Sequence, residues 1–518
     1  MKSKLKIRKT LAQHYDLIIG FLLFISYRLF FTWILWHGRH VPPEPDDSYY
    51  YLANAKHFLT IDTFERFRLL PFSLWLNLLS IFTKFNLETA YQLNFYLGPI
   101  IMFAAIYYFV HELENSRIIR LLLLVIVGLY SGSGDYHGFY WVVESFYQLA
   151  VFFIIFGILI RDQKIKVRWL LPICFLFIFI HPTSAFLSAI FILYPIFLFL
   201  LAKTDSTRAF KNSFLLIISL GIPFLVYLIL SKAYPSANSP QSIDIQTRLI
   251  REFFLGRLSP ISFSVIWQNY FAIFFINIGT IVIYFAMFAL AYYQRKFKLL
   301  AIFFSISVVV LLSSFIPYGS RTLNFLWPTT FFLIAYFLVG IWRVLEKTNS
   351  RLKLRYLTML PVAALFFIVT IFNIISVSAE NGAKNYNWYR PCISQAQNFN
   401  LYFTSHESMN AFSLYQDSEK NLHFLSIEAL NSLSNSENLL IETKNENLKP
   451  QPLNGIEEYL TSRITRRSAL GNVQYPQNAW TTPAADLESI KEFLDKKNLE
   501  LESYLDCGHF KTSIIKTL

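Results

Sequence analysis

The sequence predicts a mainly α-helical, polytopic transmembrane protein with a small α/β domain at its C-terminal end. Hydrophobic residues make up 54% of the 518 residues, and the mean hydropathy of +0.41 lies far above that of an average soluble domain. Long apolar runs alternate with short basic clusters up to residue 377, after which the composition becomes polar and rich in asparagine. We therefore divide the chain into a transmembrane domain, residues 1–377, and a C-terminal domain, residues 378–518.

About eleven apolar runs are long enough to cross, or nearly to cross, a hydrocarbon core of about 30 Å. They lie at residues 17–36, 91–110, 118–130, 139–160, 169–180, 184–202, 213–230, 270–293, 299–316, 322–342 and 356–377. An odd number of spans places the two ends of the chain on opposite sides of the membrane.

Basic residues orient these spans. Clusters of Lys and Arg fall on alternate loops, as is typical of cytoplasmic loops, at residues 2–9, 161–168, 203–211, 295–298 and 343–355. We therefore predict a multi-pass protein of the plasma (inner) membrane with a cytoplasmic N-terminus. The loops 37–90 and 231–269 and the C-terminal domain then lie outside. Since these clusters explain the net charge of +13, we exclude nucleic acid as a partner.

The first outer loop opens with the stretch PEPDDSYYYLANAKHF, residues 43–58. Asp46 and Asp47 follow a proline and precede a run of helical period, which places both acids at a helix N-terminus. A helix cap explains one acid, but here there are two. The predicted apolar face of this helix comprises Tyr51, Ala55, Phe58 and Leu59. A second, amphipathic helix is predicted at residues 64–82, with an apolar face formed by Trp75, Leu78, Leu79 and Phe82.

Two of the runs, 118–130 and 169–180, supply only about 18 to 20 Å of helix. Each ends on the outer side in a polar segment, SGSGDYHG or HPTS. Polar backbone at membrane depth is tolerated where it lines a cavity, so we expect Asp135 and His181 to lie near a pocket that opens outward. Arg28, near the middle of the first span, is predicted to be functional or paired.

The loop 231–269 is basic although it is predicted to lie outside, whereas Lys and Arg are normally enriched in cytoplasmic loops. It contains Arg248, Arg251 and Arg257, which are either solvated charges or ligands for lipid phosphate. In the C-terminal domain, LYFTS, LHFLS, NLLIET and LELESYLDCGHF predict strands, and helical patterns at residues 456–467 and 486–497 complete an α/β arrangement.

The layout as a whole resembles the C-type (GT-C) glycosyltransferases, polytopic enzymes that use polyprenyl-phosphate sugars. The segment DDSYYYLANAKHF is similar to the first-loop motif of that superfamily, in particular to bacterial protein O-mannosyltransferases and lipid A aminoarabinose transferases. Their pair of acids is followed by an aromatic residue four positions after the first acid, which matches Asp46 and Tyr50.

This resemblance implies a hexosyl or pentosyl transferase that moves a sugar, with inversion, from a polyprenyl-phosphate donor to an acceptor hydroxyl on the outer face. The acceptor class, a glycan, a lipid or a protein, stays open. Asp46 is the candidate base, and Asp47 binds the acceptor or shares that task. Arg321, His181 and Arg257 are candidate ligands of the donor phosphate; a structural cap is the alternative for His181.

A divalent cation is implied by one branch of the superfamily. In oligosaccharyltransferase catalytic subunits a second-loop acid joins the first-loop acid in binding metal, a place that Asp135 or Glu144 would take here. The alternative for Glu144 is a buried polar group near the outer end of its helix. The second loop has no acid-x-acid motif and the C-terminal domain no WWDYG-like stretch. The sequence therefore leaves a requirement for Mg²⁺ or Mn²⁺ open.

Cysteine usage gives one further prediction. Cys174 lies in an apolar run and should behave as a small hydrophobic residue, whereas Cys392 and Cys507 stand near the two ends of the C-terminal domain. In an oxidising outer compartment we expect these two to form a disulfide.

Three rival functions remain from the sequence. A polymerase or ligase of polyprenyl-linked glycans is a related transferase, but it would place arginines in large middle loops. A transporter or lipid flippase is expected to show repeat symmetry, which is not evident here. A non-catalytic scaffold fits if the acid pair is only a cap.

Overall fold

The computed structural model describes two groups of residues. In the N-terminal part these are residues 15–36, 45–59, 64–128, 142–161, 167–181, 184–203, 206–233, 278–313 and 332–338, with Phe325, Thr329 and Gly340. In the C-terminal part they are residues 400–403, 422–424, 439–444, 487–506 and 510–517.

Eleven helices of the N-terminal part have described bounds. They are α1 (Tyr15–Trp36), α2 (Pro45–Lys56), α3 (Phe64–Thr83), α4 (Leu87–Leu113), α5 (Arg117–Gly128), α6 (Glu144–Arg161), α7 (Val167–Ile180), α8 (Ser184–Ala202), α9 (Ser206–Ala233), α10 (Ile278–Tyr293) and α11 (Phe297–Ser313). Residues 332–338 are also helical.

Within the described ranges, three helices are long and apolar enough to cross a membrane: α4, α6 and the segment Phe210–Leu230 of α9. Shorter apolar helical segments occur in α3, α7, α8 and α11. Each of the first nine predicted runs coincides with a described helix. The last two, 322–342 and 356–377, lie mostly or wholly outside the described residues, so the total of eleven spans stays a prediction. The described parts of the two short runs have 12 residues in α5 and 14 in α7; each borders residues that the structure does not describe, so the shortness of these runs stays a prediction.

The helix α4 is the central element of the first half of the bundle, in contact with α1, α2, α3, α5 and α6. The second half is built on α8, which packs against α9 and α11, while α7 contacts α6 and α9. Buried aromatic side chains fill the space between helices; the ring of Phe152 packs against those of Phe156, Phe191 and Phe325, at centroid distances of 4.9, 5.4 and 4.8 Å. Such dispersion contacts stabilise helix association in an apolar solvent.

Glycine allows two of the closest helix contacts. A Cβ atom at Gly98 of α4 would lie 2.2 Å from Cγ1 of Val142, just before α6. A Cβ atom at Gly157 of α6 would lie 2.5 Å from the ring of Tyr108 in α4. Both glycines therefore set how closely α4 and the α6 segment approach, as small residues do in membrane bundles.

A buried polar cluster lies at the predicted cytoplasmic end of α4. The Arg120 Nε donates to Asp16 Oδ2 at 2.7 Å, which joins α5 to α1, and Arg120 also donates to the carbonyl of Glu114 at 3.1 Å. Glu114 accepts hydrogen bonds from Lys296 and from the Tyr336 hydroxyl at 2.8 Å. The cluster thereby connects α4 to the α10–α11 turn and to the helical residues 332–338. Higher in α1, Arg28 is also buried, with its guanidinium 5.7 Å from the ring centroid of Phe24.

The described C-terminal segments form a five-stranded mixed sheet in the order β2-β1-β3-β5-β4. Its strands are β1 (Asn400–Phe403), β2 (Leu422–Phe424), β3 (Leu439–Lys444), β4 (Leu499–Asp506) and β5 (Phe510–Thr517), and α12 (Leu487–Lys497) contacts β4. The strand β1 pairs in parallel with β2 and β3, whereas β5 pairs antiparallel with β3 and β4. The domain boundary at residue 378 and the outer location stay predictions.

Candidate active site

The acid pair lies where the sequence predicts a helix start. The helix α2 begins at Pro45, so Asp46 and Asp47 occupy its first turn. Proline suits the first helical position because its fixed φ matches the helix and its missing N–H has no partner there. Two carboxylates in a first turn also meet the positive end of the helix dipole. The structure describes the backbone at these two positions and not their side chains.

The helix α2 is fixed to its neighbours at both ends. The Ser48 hydroxyl shares a hydrogen bond of 3.1 Å with the Tyr91 hydroxyl of α4, and both side chains are fully buried. At the other end Asn77 of α3 donates to the carbonyl of Ala55 at 2.7 Å. The first of these contacts lies one residue after Asp47, so the position of the acid pair depends directly on α4.

The predicted apolar faces of α2 and α3 need correction. Leu59, assigned to the buried face of α2, is 82% exposed because the helix ends at Lys56 and Leu59 lies beyond it. In α3, Leu79 of the predicted apolar face is buried, whereas Leu78 and Phe82 are exposed on the surface of the protein; that this helix lies along the membrane interface stays a prediction. The buried stripe is formed by Leu69, Phe72, Leu76 and Leu79. Because α3 is apolar on two adjacent stripes, its period alone does not identify the stripe that faces the protein.

Glu144 and His181 form a buried pair. Glu144 is the first residue of α6 and His181 directly follows the end of α7. The Nε2 of His181 lies 3.8 Å from Oε1 of Glu144, and the two side chains are 3% and 6% exposed. The His181 carbonyl accepts the backbone N–H of Ser184 at 3.0 Å, which joins the pair to the start of α8. A carboxylate this deeply buried requires such a partner, because an isolated buried charge is strongly unfavourable.

Hydroxyl and amide groups surround the beginning of α8. Gln148, one turn after Glu144, donates to the Ser184 hydroxyl at 2.7 Å. That hydroxyl donates to the carbonyl of Phe177 in α7 at 2.5 Å. Sequence analysis did not identify Gln148 or Ser184. The available signal was the spacing of Glu144 and Gln148, two polar residues on one face of an otherwise apolar helix.

A second polar network connects the first outer loop with α6. The Oδ1 of Asn94, in α4, accepts from the Trp75 indole N–H at 2.8 Å and from the Tyr147 hydroxyl at 2.5 Å. The Nδ2 of Asn94 donates to the carbonyl of Val142 at 2.6 Å. Asn94 is fully buried and was not identified from the sequence. A single amide thus bonds to α3, to α6 and to the segment that leads into α6.

The remaining candidates lie outside the described residues. These are Asp135, Arg257, Arg321, Cys392 and Cys507, and their predicted functions stay predictions. Among the described residues no group of three or more His, Cys, Asp or Glu side chains is placed to hold a metal ion.

A requirement for a metal ion stays a prediction, because the side chains of Asp46 and Asp47 and the whole of Asp135 lie outside the described residues. Glu144 and His181 provide two side chains of a kind that binds divalent cations, and no third is described beside them. We therefore derive no chemistry through a metal. Cys174 is fully buried and unpaired in α7, as predicted for a small apolar side chain in a span.

Comparison with known proteins identifies the fold. No protein-family profile and no curated protein sequence matches this chain. The apo crystal structure of the Archaeoglobus fulgidus oligosaccharyltransferase superposes with a TM-score of 0.50 at 12% sequence identity, over 94% of this chain and 69% of that one. The structure of the same protein tethered to an acceptor peptide with the NVT sequon gives 0.52 at 10% identity, over 97% and 74%. The chain therefore shares the fold of that oligosaccharyltransferase.

Proposed function

We propose that this protein is a membrane glycosyltransferase that moves a sugar from a polyprenyl-phosphate donor to an acceptor hydroxyl at the outer face of the membrane. The observation that carries the proposal is the pair Asp46 and Asp47 in the first turn of α2, the helix that follows α1, in a chain that shares the fold of an archaeal oligosaccharyltransferase. The placement near bacterial protein O-mannosyltransferases and aminoarabinose transferases rests on the first-loop motif alone.

The proposed reaction needs one base and one site for the leaving phosphate. The Asp46 carboxylate takes the proton of the acceptor hydroxyl, whose oxygen attacks the anomeric carbon of the donor sugar. The bond from that carbon to the phosphate oxygen breaks on the opposite face, so the configuration inverts and polyprenyl phosphate leaves with the bonding electrons. Asp47 binds the acceptor or shares the proton.

Cationic or dipolar groups stabilise the leaving phosphate in this scheme. His181 lies at the start of α8 with Glu144 as its neighbour, 3.8 Å from Nε2, so the carboxylate orients the imidazole. Helix N-termini favour phosphate binding through their free N–H groups. Arg321 and Arg257 are the further candidates, since a guanidinium forms two parallel hydrogen bonds to a phosphate.

The test is release of polyprenyl phosphate by the purified full-length protein in lipid nanodiscs. Labelled polyprenyl-phosphate sugars are offered with glycan, lipid and peptide acceptors; a peptide belongs in the panel because the A. fulgidus protein was solved with one. We expect release by the wild type and a loss of about 10²-fold or more in Asp46→Asn, in which the amide keeps the shape and loses the basicity. Glu88→Gln, in the first turn of α4, is the matched control and should remain active.

The outcomes separate the assignments. Activity in Asp46→Asn together with its loss in Asp47→Asn makes Asp47 the base. Full activity in both variants rules out a catalytic function for this stretch. Movement of the intact lipid-linked sugar across the bilayer without release of polyprenyl phosphate supports a transporter instead.

A further inference from the structure

Asn94 joins the two parts of the candidate site. Its carboxamide uses both acceptor positions of Oδ1, for Trp75 of α3 and Tyr147 of α6, and one donor of Nδ2, for the carbonyl of Val142. All three partners belong to segments that are distant in sequence. Asn94 and Val142 are fully buried whereas Trp75 and Tyr147 are half-buried, so the bond to the Val142 carbonyl is the most costly of the three to lose.

One side of this network leads to the acid pair. Trp75 lies on α3, and two residues further along that helix Asn77 binds the carbonyl of Ala55 in α2. The ring of Tyr51 in α2 packs edge-to-face on Phe72 of α3, with centroids 5.2 Å apart. The helix that carries the acid pair therefore rests on α3, and α3 is held through Trp75.

The other side leads to the buried pair. Val142 and Tyr147, which bond to Asn94, flank Glu144 in the sequence, and the Glu144 carboxylate is 3.8 Å from His181. Gly98, one turn after Asn94, admits the Val142 side chain against α4, because a Cβ atom there would lie 2.2 Å from it. The start of α6 is thus fixed to α4 by a hydrogen bond and by close packing.

From this geometry we infer that Asn94 is a positioning residue. It fixes the first outer loop, which carries Asp46 and Asp47, relative to the start of α6, where Glu144 lies 3.8 Å from His181. Its effect on catalysis rests on the proposed glycosyl transfer, whereas its effect on the loop does not. Asn94 itself contacts neither donor nor acceptor in this scheme. It acts by holding α3 and α6 at a set distance, and reactivity depends steeply on such distances.

The chemistry of the amide explains why asparagine is needed. A planar carboxamide offers an acceptor and a donor on one small group. Leucine offers neither, so Asn94→Leu loses all three bonds. An ionised aspartate accepts from Trp75 and Tyr147 but cannot donate to Val142. A protonated aspartic acid can do both, because its O–H replaces the Nδ2 donor. Asn94→Asp should therefore restore the network at acidic pH only.

The first measurement does not depend on activity. Hydrogen–deuterium exchange of the full chain in nanodiscs, followed by mass spectrometry, reports the protection of peptides from α2 and α3. In Asn94→Leu we expect about tenfold faster exchange in these peptides and no change in α9 or α11. Thr32→Val is the matched control: it removes a buried hydrogen bond to α4 at the neighbouring residue, Thr32 Oγ1 to the Phe95 carbonyl at 3.3 Å, without touching the loop. Should Asn94→Leu fail to fold, Trp75→Phe and Tyr147→Phe each remove one bond.

The second measurement is turnover, relative to the wild type at the same pH. We expect kcat to fall about 100-fold in Asn94→Leu while the apparent donor KM changes less than about threefold, since Asn94 positions groups and does not bind donor. Asn94→Asp should gain in relative kcat as the medium is acidified, because only the protonated side chain can donate to the Val142 carbonyl.

The results distinguish the two claims. Unchanged exchange in α2 and α3 across Asn94→Leu, Trp75→Phe and Tyr147→Phe overturns the positioning inference. Equal loosening in Thr32→Val overturns it as well. Faster exchange in the Asn94 variant, with no transfer by the wild type, supports the positioning of the loop and refutes only the proposed function.

Discussion

Replacing Glu114 by glutamine removes the carboxylate that accepts from Lys296 and Tyr336 at the predicted cytoplasmic end of α4. Its Oε2 accepts from Lys296 and from the Tyr336 hydroxyl, and its Oε1 accepts from the backbone N–H of Ser116 at 2.9 Å. Glutamine keeps an acceptor for Ser116 but presents an N–H₂ group or a neutral oxygen to Lys296. The variant therefore loses one charge-assisted hydrogen bond and leaves a partly buried ammonium without its anion.

The magnitude follows from the burial of the pair. A charge-assisted hydrogen bond contributes about 1.5 to 3 kcal/mol, and breaking a fully buried ion pair costs about 3 to 5 kcal/mol. The Glu114 side chain is 7% exposed and that of Lys296 is 23% exposed, so solvent recovers part of the loss for the lysine. We expect Glu114→Gln to lower the free energy of unfolding by about 2 to 4 kcal/mol.

The assay is a double-mutant cycle with Lys296→Met. Reversible unfolding in mixed detergent micelles, followed by tryptophan fluorescence, gives the free energy of each variant, and we expect a coupling energy of about 1.5 to 3 kcal/mol. Lys298→Met is the matched control: it is an exposed lysine two residues away, and its one described bond is to the carbonyl of Ile160 at 3.4 Å. It should change stability by less than about 0.5 kcal/mol. Additive effects of Glu114→Gln and Lys296→Met would refute the reasoning.

The same pair predicts a pH dependence. Burial raises the pKa of Glu114, but hydrogen bonds from Lys296, the Ser116 backbone and Tyr336, with the charge of Lys296, outweigh it, so the pKa is lowered overall. A carboxyl whose pKa is lower in the folded state stabilises above its unfolded pKa and loses that contribution as pH falls through the folded one. The stability gap between the wild type and Glu114→Gln should therefore narrow as the medium is acidified below the ordinary carboxyl range.

Three further predictions concern the donor site, the C-terminal domain and the bundle. Arg321→Ala should weaken donor binding by about 2 to 5 kcal/mol in a donor titration, and lysine at 321 should restore only part. Non-reducing peptide mapping should find Cys392 joined to Cys507, and alkylation of both in the native protein contradicts the pairing. Gly157→Ala should destabilise by about 1 to 3 kcal/mol, because the new methyl lies 2.5 Å from a tyrosine ring, whereas Gly221→Ala, with nothing within 4 Å, should stabilise by up to about 1 kcal/mol.

The position of each helix was predictable, whereas the face it buries was less so. Hydropathy locates a spanning helix because the length of an apolar helix must match the thickness of the hydrocarbon core. The start of α2 is marked by Pro45 followed by two acids. The face that a helix buries depends on which other helices pack against it. Leu78 and Phe82 lie on an apolar stripe as good as the buried one, and only the contacts of α3 with α2, α4 and α7 decide between them.

The pairing of site residues was beyond the sequence for a similar reason. Glu144 and His181 were each identified, one as a second acid and the other as a phosphate ligand, but nothing in their spacing indicates that they meet. The end of α7 must approach the start of α6 before a carboxylate and an imidazole can pair. Asn94 left a weaker signal, since an amide inside an apolar run must find partners but does not reveal which ones.

If the proposed function holds, the two polar clusters at the ends of α4 should affect different properties, the Glu114 cluster stability and the Asn94 cluster catalysis. Asn94 and Glu114 lie twenty residues apart in sequence, which is about 30 Å of helix, the thickness of the hydrocarbon core. Between them α4 buries mainly apolar and aromatic side chains. In the predicted topology each cluster lies near one boundary of the membrane, where buried polar groups can be satisfied by residues of several helices. The Glu114 end joins α1, α5 and the α10–α11 turn through opposite charges, so its variants should change unfolding and leave kcat intact. The Asn94 end carries the loop with the acid pair, so its variants should change kcat first.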